Sequence, residues 1–397
     1  MFKHFFPIYN HHPQLVYLDS AASALKNSVV LDREHVFATT RYANVHRSVY
    51  SLSAHATEDY EGARAVCANY FHVASEGFIF VRGATEGINV FAQTVIAPRL
   101  RATHNIVITV MEHHANLVVW HTLCSQVQAE LRVARIMADG TLDQEHLASL
   151  IDENTLLVAM THVSNVTGVI NNLDSIKNIS ARGIWTLVDG AQMLAHHRVD
   201  VGSLGCDAYV VSAHKAYGPS GIGAVMLSER ARSSASVYQM GGGMVARVQH
   251  DGVTYQDDPW RFEAGTPHIT GAVGFGAALE WLSVHADAIV QHEQHIWHYL
   301  WQQWHEHLGD IPMLGHYEGQ GMFAFNMPHI HAHDVATWCD SHHVAIRAGA
   351  LCAAPFVEAL GHKSLARVSL GCYNDIEDIN LFIDCMKKLY MRVLHAS

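Results

Sequence analysis

Basic residues are scarce in this chain: Lys and Arg total 25 against 37 Asp and Glu, a formal net charge of -12 with histidine neutral. Proteins that bind nucleic acid usually present a basic face to the phosphates, so no nucleic-acid partner is expected. No window reads as the roughly 18 apolar residues that a membrane helix needs. Residues 1–12 lack the basic start and apolar run of a secretory signal. Cysteines number seven (Cys67, Cys124, Cys206, Cys339, Cys352, Cys372 and Cys385), an odd count without regular spacing. That argues against a disulfide framework and for a reducing, cytoplasmic setting. A Cys-Cys-His pattern suited to structural zinc is missing too, and so are internal repeats and low-complexity segments.

What is present is a globular composition. Of 397 residues, 49% are apolar and 16% charged, enough chain for a sizeable core and two domains. Histidines number 32. Groups such as His329, His331 and His333, or His342 and His343, have spacings that a metal can use, but they read as surface or packing residues and no metal site is expected.

Short apolar runs recur through the middle of the chain: 77–81, 106–110, 156–160, 185–188 and 208–211. Runs without polar alternation predict strands buried on both faces, hence a mostly parallel sheet. Helical segments between them predict an α/β fold. Toward the C-terminus the rhythm changes. Strands are expected at 322–326, 344–347 and 366–370 and a helix at 333–342. A final helix carries Ile379, Phe382, Met386, Leu389 and Val393 on one face. This reads as a smaller α+β domain, with the boundary in or after a helix at 272–285.

Ligands of parallel α/β sheets bind beyond the carboxyl ends of the strands, and five successive strand ends carry polar groups. The first is Arg82-Gly83-Ala84-Thr85, a glycine turn opening a helix whose free N–H groups suit a phosphate, although a simple capping threonine reads equally well. Next comes Glu112-His113-His114-Ala115-Asn116, with an imidazole able to stack on a flat ring or carry a proton. Then come Asn165, an amide donor, and Asp189-Gly190-Ala191-Gln192. A carboxylate in an apolar setting needs a partner, and a pyridinium N–H is one. Ser212-Ala213-His214-Lys215 follows. A lysine at the mouth of a sheet loses its proton more easily when desolvated, and the neutral amine forms imines. Each residue alone has an ordinary explanation as a cap or hydrogen-bond partner. Together they match the needs of pyridoxal phosphate, held on Lys215.

These motifs resemble the class-V group of fold-type I pyridoxal-phosphate enzymes, and within it the cysteine desulfurases of the group that includes SufS and CsdA. The resemblance covers nearly the whole chain. It runs from Tyr17-Leu18-Asp19-Ser20-Ala21-Ala22 and Asn44-Val45-His46-Arg47-Ser48 through the strand-end motifs to Arg261-Phe262-Glu263-Ala264-Gly265-Thr266-Pro267 and the stretch from Arg347 to Cys352. Segments 257–260 and 347–349 look nearer to CsdA-like members.

The resemblance implies a large cofactor-binding domain (1–285) with a mostly parallel seven-stranded sheet and an N-terminal arm (1–20) lying on a small domain (286–397). It implies that Lys215 holds the cofactor and moves protons on the substrate, Asp189 pairs with the pyridine nitrogen and His113 stacks on the ring. Gln192 and Asn165 would lie near the phenolic oxygen. Ala84, Thr85, Ser212 and His214 would hold the phosphate, with Thr266 reaching the neighbouring subunit's phosphate in a homodimer. Arg367, with Asn165, would bind the substrate carboxylate, and Arg347 would line the path to Cys352.

The implied reaction converts L-cysteine to L-alanine and leaves a persulfide on Cys352. A small SufE-like protein would accept the sulfur, for iron–sulfur cluster assembly or tRNA thiolation. Selenocysteine lyase and cysteine-sulfinate desulfinase are alternatives on the same fold, and a non-catalytic scaffold is a third reading. The chain departs from the family in three places: Leu351 stands where histidine often precedes the cysteine, Ala84 replaces one of two threonines, and Ala213 replaces a glycine. The loop from Arg347 to Cys352 is short, and Gly349 suggests that it is flexible.

Overall fold

The computed structural model describes every residue except Met1, Arg47, Gln320 and Ser397. Arg47 of the 44–48 motif therefore lies outside the described residues.

Seven strands form the main sheet: β1 (Phe78–Val81), β2 (Asn105–Thr109), β3 (Glu130–Ala134), β4 (Thr155–Thr161), β5 (Trp185–Asp189), β6 (Ala208–Ser212) and β7 (Gly223–Leu227). Their order is β1-β7-β6-β5-β4-β2-β3. Only β7 runs against its two neighbours, and the other pairs are parallel. The apolar runs expected to be strands occupy β1, β2, β4, β5 and β6. Successive residues in them serve two separate cores. Ile79, Ile106, Ile108, Leu157, Leu187 and Val210 fill one face, and Phe80, Val107, Val158, Val188 and Val211 the other. Both faces being covered, neither needs polar alternation. Two strands escape the apolar-run test. The edge strand β3 carries Glu130 and Arg132 and is largely open to solvent, and β7 follows a glycine-rich turn.

The third core belongs to the C-terminal part. A four-stranded sheet (Met313–Leu314, Met322–Phe325, Arg347–Gly349, Leu365–Ser369) packs with helices Ala332–Asp340 and Ile376–Ala396. Ile379, Phe382, Met386 and Leu389 of the final helix are buried there, as their spacing predicts.

The helix expected at 272–285 is a single 40-residue helix, Ile269–Leu308. Its first half lies in the large core through Phe275, Leu279 and Trp281, and its second half in the third core through Trp297, Leu300 and Trp304. By length and composition it qualifies to cross a membrane, contrary to the expectation that no segment would. With 56% of that apolar stretch buried inside the protein, its hydrophobicity is accounted for by packing. The first residues of the chain lie on the same helix: the rings of Phe2 and Phe6 meet Trp281 edge-on, Phe6 also meets Tyr373, and Lys3 pairs with Asp378.

A buried charge ties β1 to the segment before Thr266. Arg64, 1% exposed, holds Glu263 through both terminal nitrogens at 2.6 and 2.8 Å and also donates to Glu61 and the Phe78 carbonyl. Glu263 in turn accepts from the Phe80 amide and the Tyr60 hydroxyl. Removing the arginine strands the carboxylate. Arg64→Ala is expected to lower stability by about 3–5 kcal/mol, measured by denaturant unfolding; a change below about 1 kcal/mol would refute it.

Candidate active site

The carboxyl ends of β1, β2, β4, β5 and β6 open on one cavity of about 260 Å³. Ala84, Thr85, His113, Asn165, Asp189, Gln192, Ser212, His214, Lys215, Arg347, Cys352 and Arg367 all line it. Of the residues named from sequence, Thr266 alone stands elsewhere. It lines two neighbouring cavities, with His46, Trp260 and Glu263 and with Arg82, Tyr238 and His268.

Lys215 ends the short turn Ala213–Lys215 that follows β6. Burial pushes its amine down to about 8; Asp189 opposes that shift and Arg367 adds to it. Asp189 closes β5 and is 6% exposed. Burial raises its carboxyl, Lys215 draws it back, and the Ala191 amide donates to it at 3.0 Å. Such a carboxylate calls for a cationic N–H close by.

At the opposite end, Gly83 (φ +156°) precedes the helix Ala84–Phe91. A Cβ on Gly83 would meet Ser212 Oγ at 3.2 Å. That same Oγ accepts from the Ala84 amide at 2.9 Å. Glycine leaves the helix N-terminus uncovered, a setting for an anion. The His214 ring lies 3.3 Å from Ser23 Oγ, and burial lowers it to about 4, with Lys215 and Lys26 contributing. It is neutral at physiological pH and offers a hydrogen bond rather than a charge.

His113 is also lowered to about 4, by burial first and then by Lys215, His114 and Arg367. Its Nδ1 accepts from the Ala115 amide, which leaves the proton on Nε2. Glu112 anchors this segment from below. It is fully buried and accepts from Thr109 Oγ1, the Thr161 amide and Asn116 Nδ2, and Asn116 Oδ1 accepts from Trp120. Burial pushes Glu112 up to about 8 against the pull of its three donors.

Arg367, at the mouth shared with Arg347 and Cys352, is 2% exposed. It donates to Asp19 at 2.9 Å and to the Asn165 carbonyl at 2.8 Å, while its Nε has no partner among the described residues. Arg347 holds the other oxygen of Asp19 at 3.1 Å. One carboxylate thus sets both arginines. The amides expected near the ring are engaged with the chain: Gln192 donates to the Ala21 carbonyl and Asn165 to the Leu351 carbonyl.

Cys352 is exposed, whereas the other six cysteines are buried. The loop that carries it is not free, despite Gly349. The Leu351 side chain is 7% exposed and joins the large core. The Leu351 carbonyl takes the Asn165 amide at 2.7 Å, and the Cys352 carbonyl takes the His114 N–H at 2.7 Å. Asp19, Glu112 and His114 carry no role that residue type or spacing reveals. Their place in motifs was the available signal.

The pocket fits pyridoxal phosphate. Asp189 suits the pyridine nitrogen, the uncovered helix end suits the phosphate, and a lysine amine at about 8 suits the aldehyde. The fold and this site define a class: fold-type I pyridoxal-phosphate enzymes.

The aminotransferase class-V family profile matches residues 16–382. Cysteine desulfurases of Shigella flexneri and of Escherichia coli strain K12 are each 43% identical over 380 residues, 95% of this chain and 93% of theirs. The crystal structure of the cysteine desulfurase CsdA from Escherichia coli aligns with a TM-score of 0.89 at 32% identity, covering 98% of this chain and 97% of that one. An apo cysteine desulfurase of Thermococcus onnurineus aligns at 0.92 and 30%, over 98% and 97%. The chain belongs to the class-V aminotransferase family, in its cysteine desulfurase branch.

Among the described residues no group of three or more His, Cys, Asp or Glu is arranged to hold a metal.

Proposed function

We propose that this enzyme converts L-cysteine to L-alanine, keeps the sulfur as a persulfide on Cys352 and hands it to a small SufE-like acceptor protein. The observation that carries the reading is that its single exposed cysteine lines the same cavity as Lys215 and Arg367. Bound pyridoxal phosphate supplies an electron sink for the substrate's α-carbon.

The chain's own residues do the rest. Asp189 holds the pyridine nitrogen, and the Ala84–Thr85 helix end with Ser212 and His214 holds the phosphate. The free Nε of Arg367, with the guanidinium fixed by Asp19, takes the substrate carboxylate. Lys215, with its amine at about 8, takes the α-proton and returns it. The Cys352 thiolate attacks the substrate sulfur. A sulfur–sulfur bond forms, the carbon–sulfur bond breaks, and the released carbon takes up a proton. One cysteine and one enzyme thiol thus become one alanine and one enzyme persulfide, with atoms and electrons balanced.

Homodimerisation belongs to the same reading. Thr266 is supported as a ligand of the partner's cofactor by its position outside its own Lys215 cavity. The division into residues 1–285 and 286–397, with residues 1–20 as an arm, accords with cores that meet along helix Ile269–Leu308.

The test is incubation of the holoenzyme with L-cysteine. Alanine should form, and the Cys352 peptide should gain the mass of one sulfur. An acceptor of the SufE-like class should then raise turnover. Alanine without sulfur on Cys352 would refute the role of that residue.

A further inference from the structure

We infer that His114 is a positioning residue for Cys352, holding the reactive loop through its ring and its backbone. The inference rests on Cys352 being the sulfur acceptor, as proposed above.

Leu351 (φ +54°) and Cys352 (φ +53°) both lie in the left-handed region. Two consecutive residues with Cβ atoms hold that conformation only when their surroundings over-determine it. The His114 N–H donates to the Cys352 carbonyl at 2.7 Å, and the Ala354 N–H donates to His114 Nε2 at 3.1 Å. His114 therefore grips the turn at the cysteine carbonyl and again at the amide two residues on. Asn165 holds the preceding carbonyl from another strand end, and the Ala353 amide closes the turn on the Ala350 carbonyl. Within the turn the Cys352 side chain is left exposed while Leu351 is buried.

His114 follows His113, whose ring lines the cavity with Lys215, and Glu112 ties the segment to the last residues of β2 and β4. A single three-residue run thus sets the stacking ring and the nucleophile loop in a common frame. Because Nε2 accepts from Ala354, the ring must carry its hydrogen on Nδ1. An arrangement of that kind fixes where the sulfur sits without touching the substrate. It accounts for a histidine at this position separately from the ring-stacking role of its neighbour.

Three variants of the holoenzyme test this. Gln places an acceptor where Nε2 lies, Asn places one nearer Nδ1, and Ala supplies neither. His114→Ala and His114→Asn should lower kcat for alanine formation by about fivefold to tenfold, the size of one lost hydrogen bond. Their KM for L-cysteine should stay within about twofold, because Arg367 is untouched. Iodoacetamide should alkylate Cys352 faster in both than in the parent enzyme, since the loop is released. His114→Gln should restore most of the kcat and the slow alkylation. The visible absorbance of the bound cofactor should be unmoved throughout; a shift would mean that His113 had been disturbed and would count against a role confined to the loop.

Cys352→Ala runs alongside. If it loses turnover while His114→Ala keeps parental kcat and alkylation rate, the inference about His114 fails alone. If Cys352→Ala keeps full turnover, the proposed nucleophile and its positioning residue fail together.

Discussion

Replacing Cys352 with alanine is expected to cut alanine formation from L-cysteine by about a thousandfold or more, the usual scale for loss of a nucleophile. The reason is the one exposed thiol in the cavity. The other six cysteines are buried, and burial raises the thiols of Cys67, Cys124 and Cys206, with Cys206 reaching about 12, so none can stand in for it. The variant should still bind the cofactor, because Lys215, Asp189 and the helix end at Ala84 are left in place. Selenocysteine offers a contrast. Selenium leaves without thiolate attack, so deselenation should persist in the variant. Equal loss on both substrates would mean that Cys352 supports the site rather than attacking sulfur. Equal retention would favour a lyase or desulfinase whose chemistry bypasses the thiol. Side-by-side assays of alanine from the two substrates decide between these outcomes.

Lys215→Ala is expected to have an effect of similar size, about a thousandfold or more on turnover, with loss of the visible absorbance of the covalently held cofactor. The lysine's environment adds a pH signature. Its amine lies at about 8, pushed down chiefly by burial. The neutral form is the nucleophile. Capture of pyridoxal phosphate by the apoprotein should therefore quicken about tenfold per pH unit as pH rises toward 8 and level off above it. The sign follows from the direction of the shift. An ordinary lysine would still be gaining neutral fraction at pH 10, whereas this one is half neutral near 8. Stopped-flow absorbance at a series of pH values measures it. A rate still climbing tenfold per unit between pH 9 and 10 would contradict a lowered amine.

Much of the frame was legible along the chain. β1, β2, β4, β5 and β6 stand out because burial on both faces demands an unbroken apolar run, and a parallel sheet puts their polar termini on one edge. Asp189, His113, Ser212 and Lys215 stand at those termini, and their candidate roles rest on the set taken together with the family resemblance. β3 was hidden because an edge strand open to water keeps Glu130 and Arg132. The long helix extends beyond its expected end because its apolar face passes from one core to another past residue 285, and a pattern of spacing does not say which core it serves.

The site's supporting contacts are another matter. Asp19 reaches Arg367 across 348 positions and Arg347 across 328, Asn165 reaches Leu351 across 186, and His114 meets Ala354 across 240. No local spacing encodes such pairs. The loop before Cys352 was expected to be flexible on account of Gly349, yet the structure pins it with hydrogen bonds from two distant strand ends. The sequence by itself determined the fold class, which depends on periodicity, and singled out Lys215 by its place at a strand end; Cys352 stood out only through the family resemblance. Only the tertiary structure decided which arginine nitrogen is free, how Lys215 loses its proton and what holds Cys352 in place. Those depend on desolvation and on hydrogen bonds between segments, and both exist only once the chain has closed around the cavity.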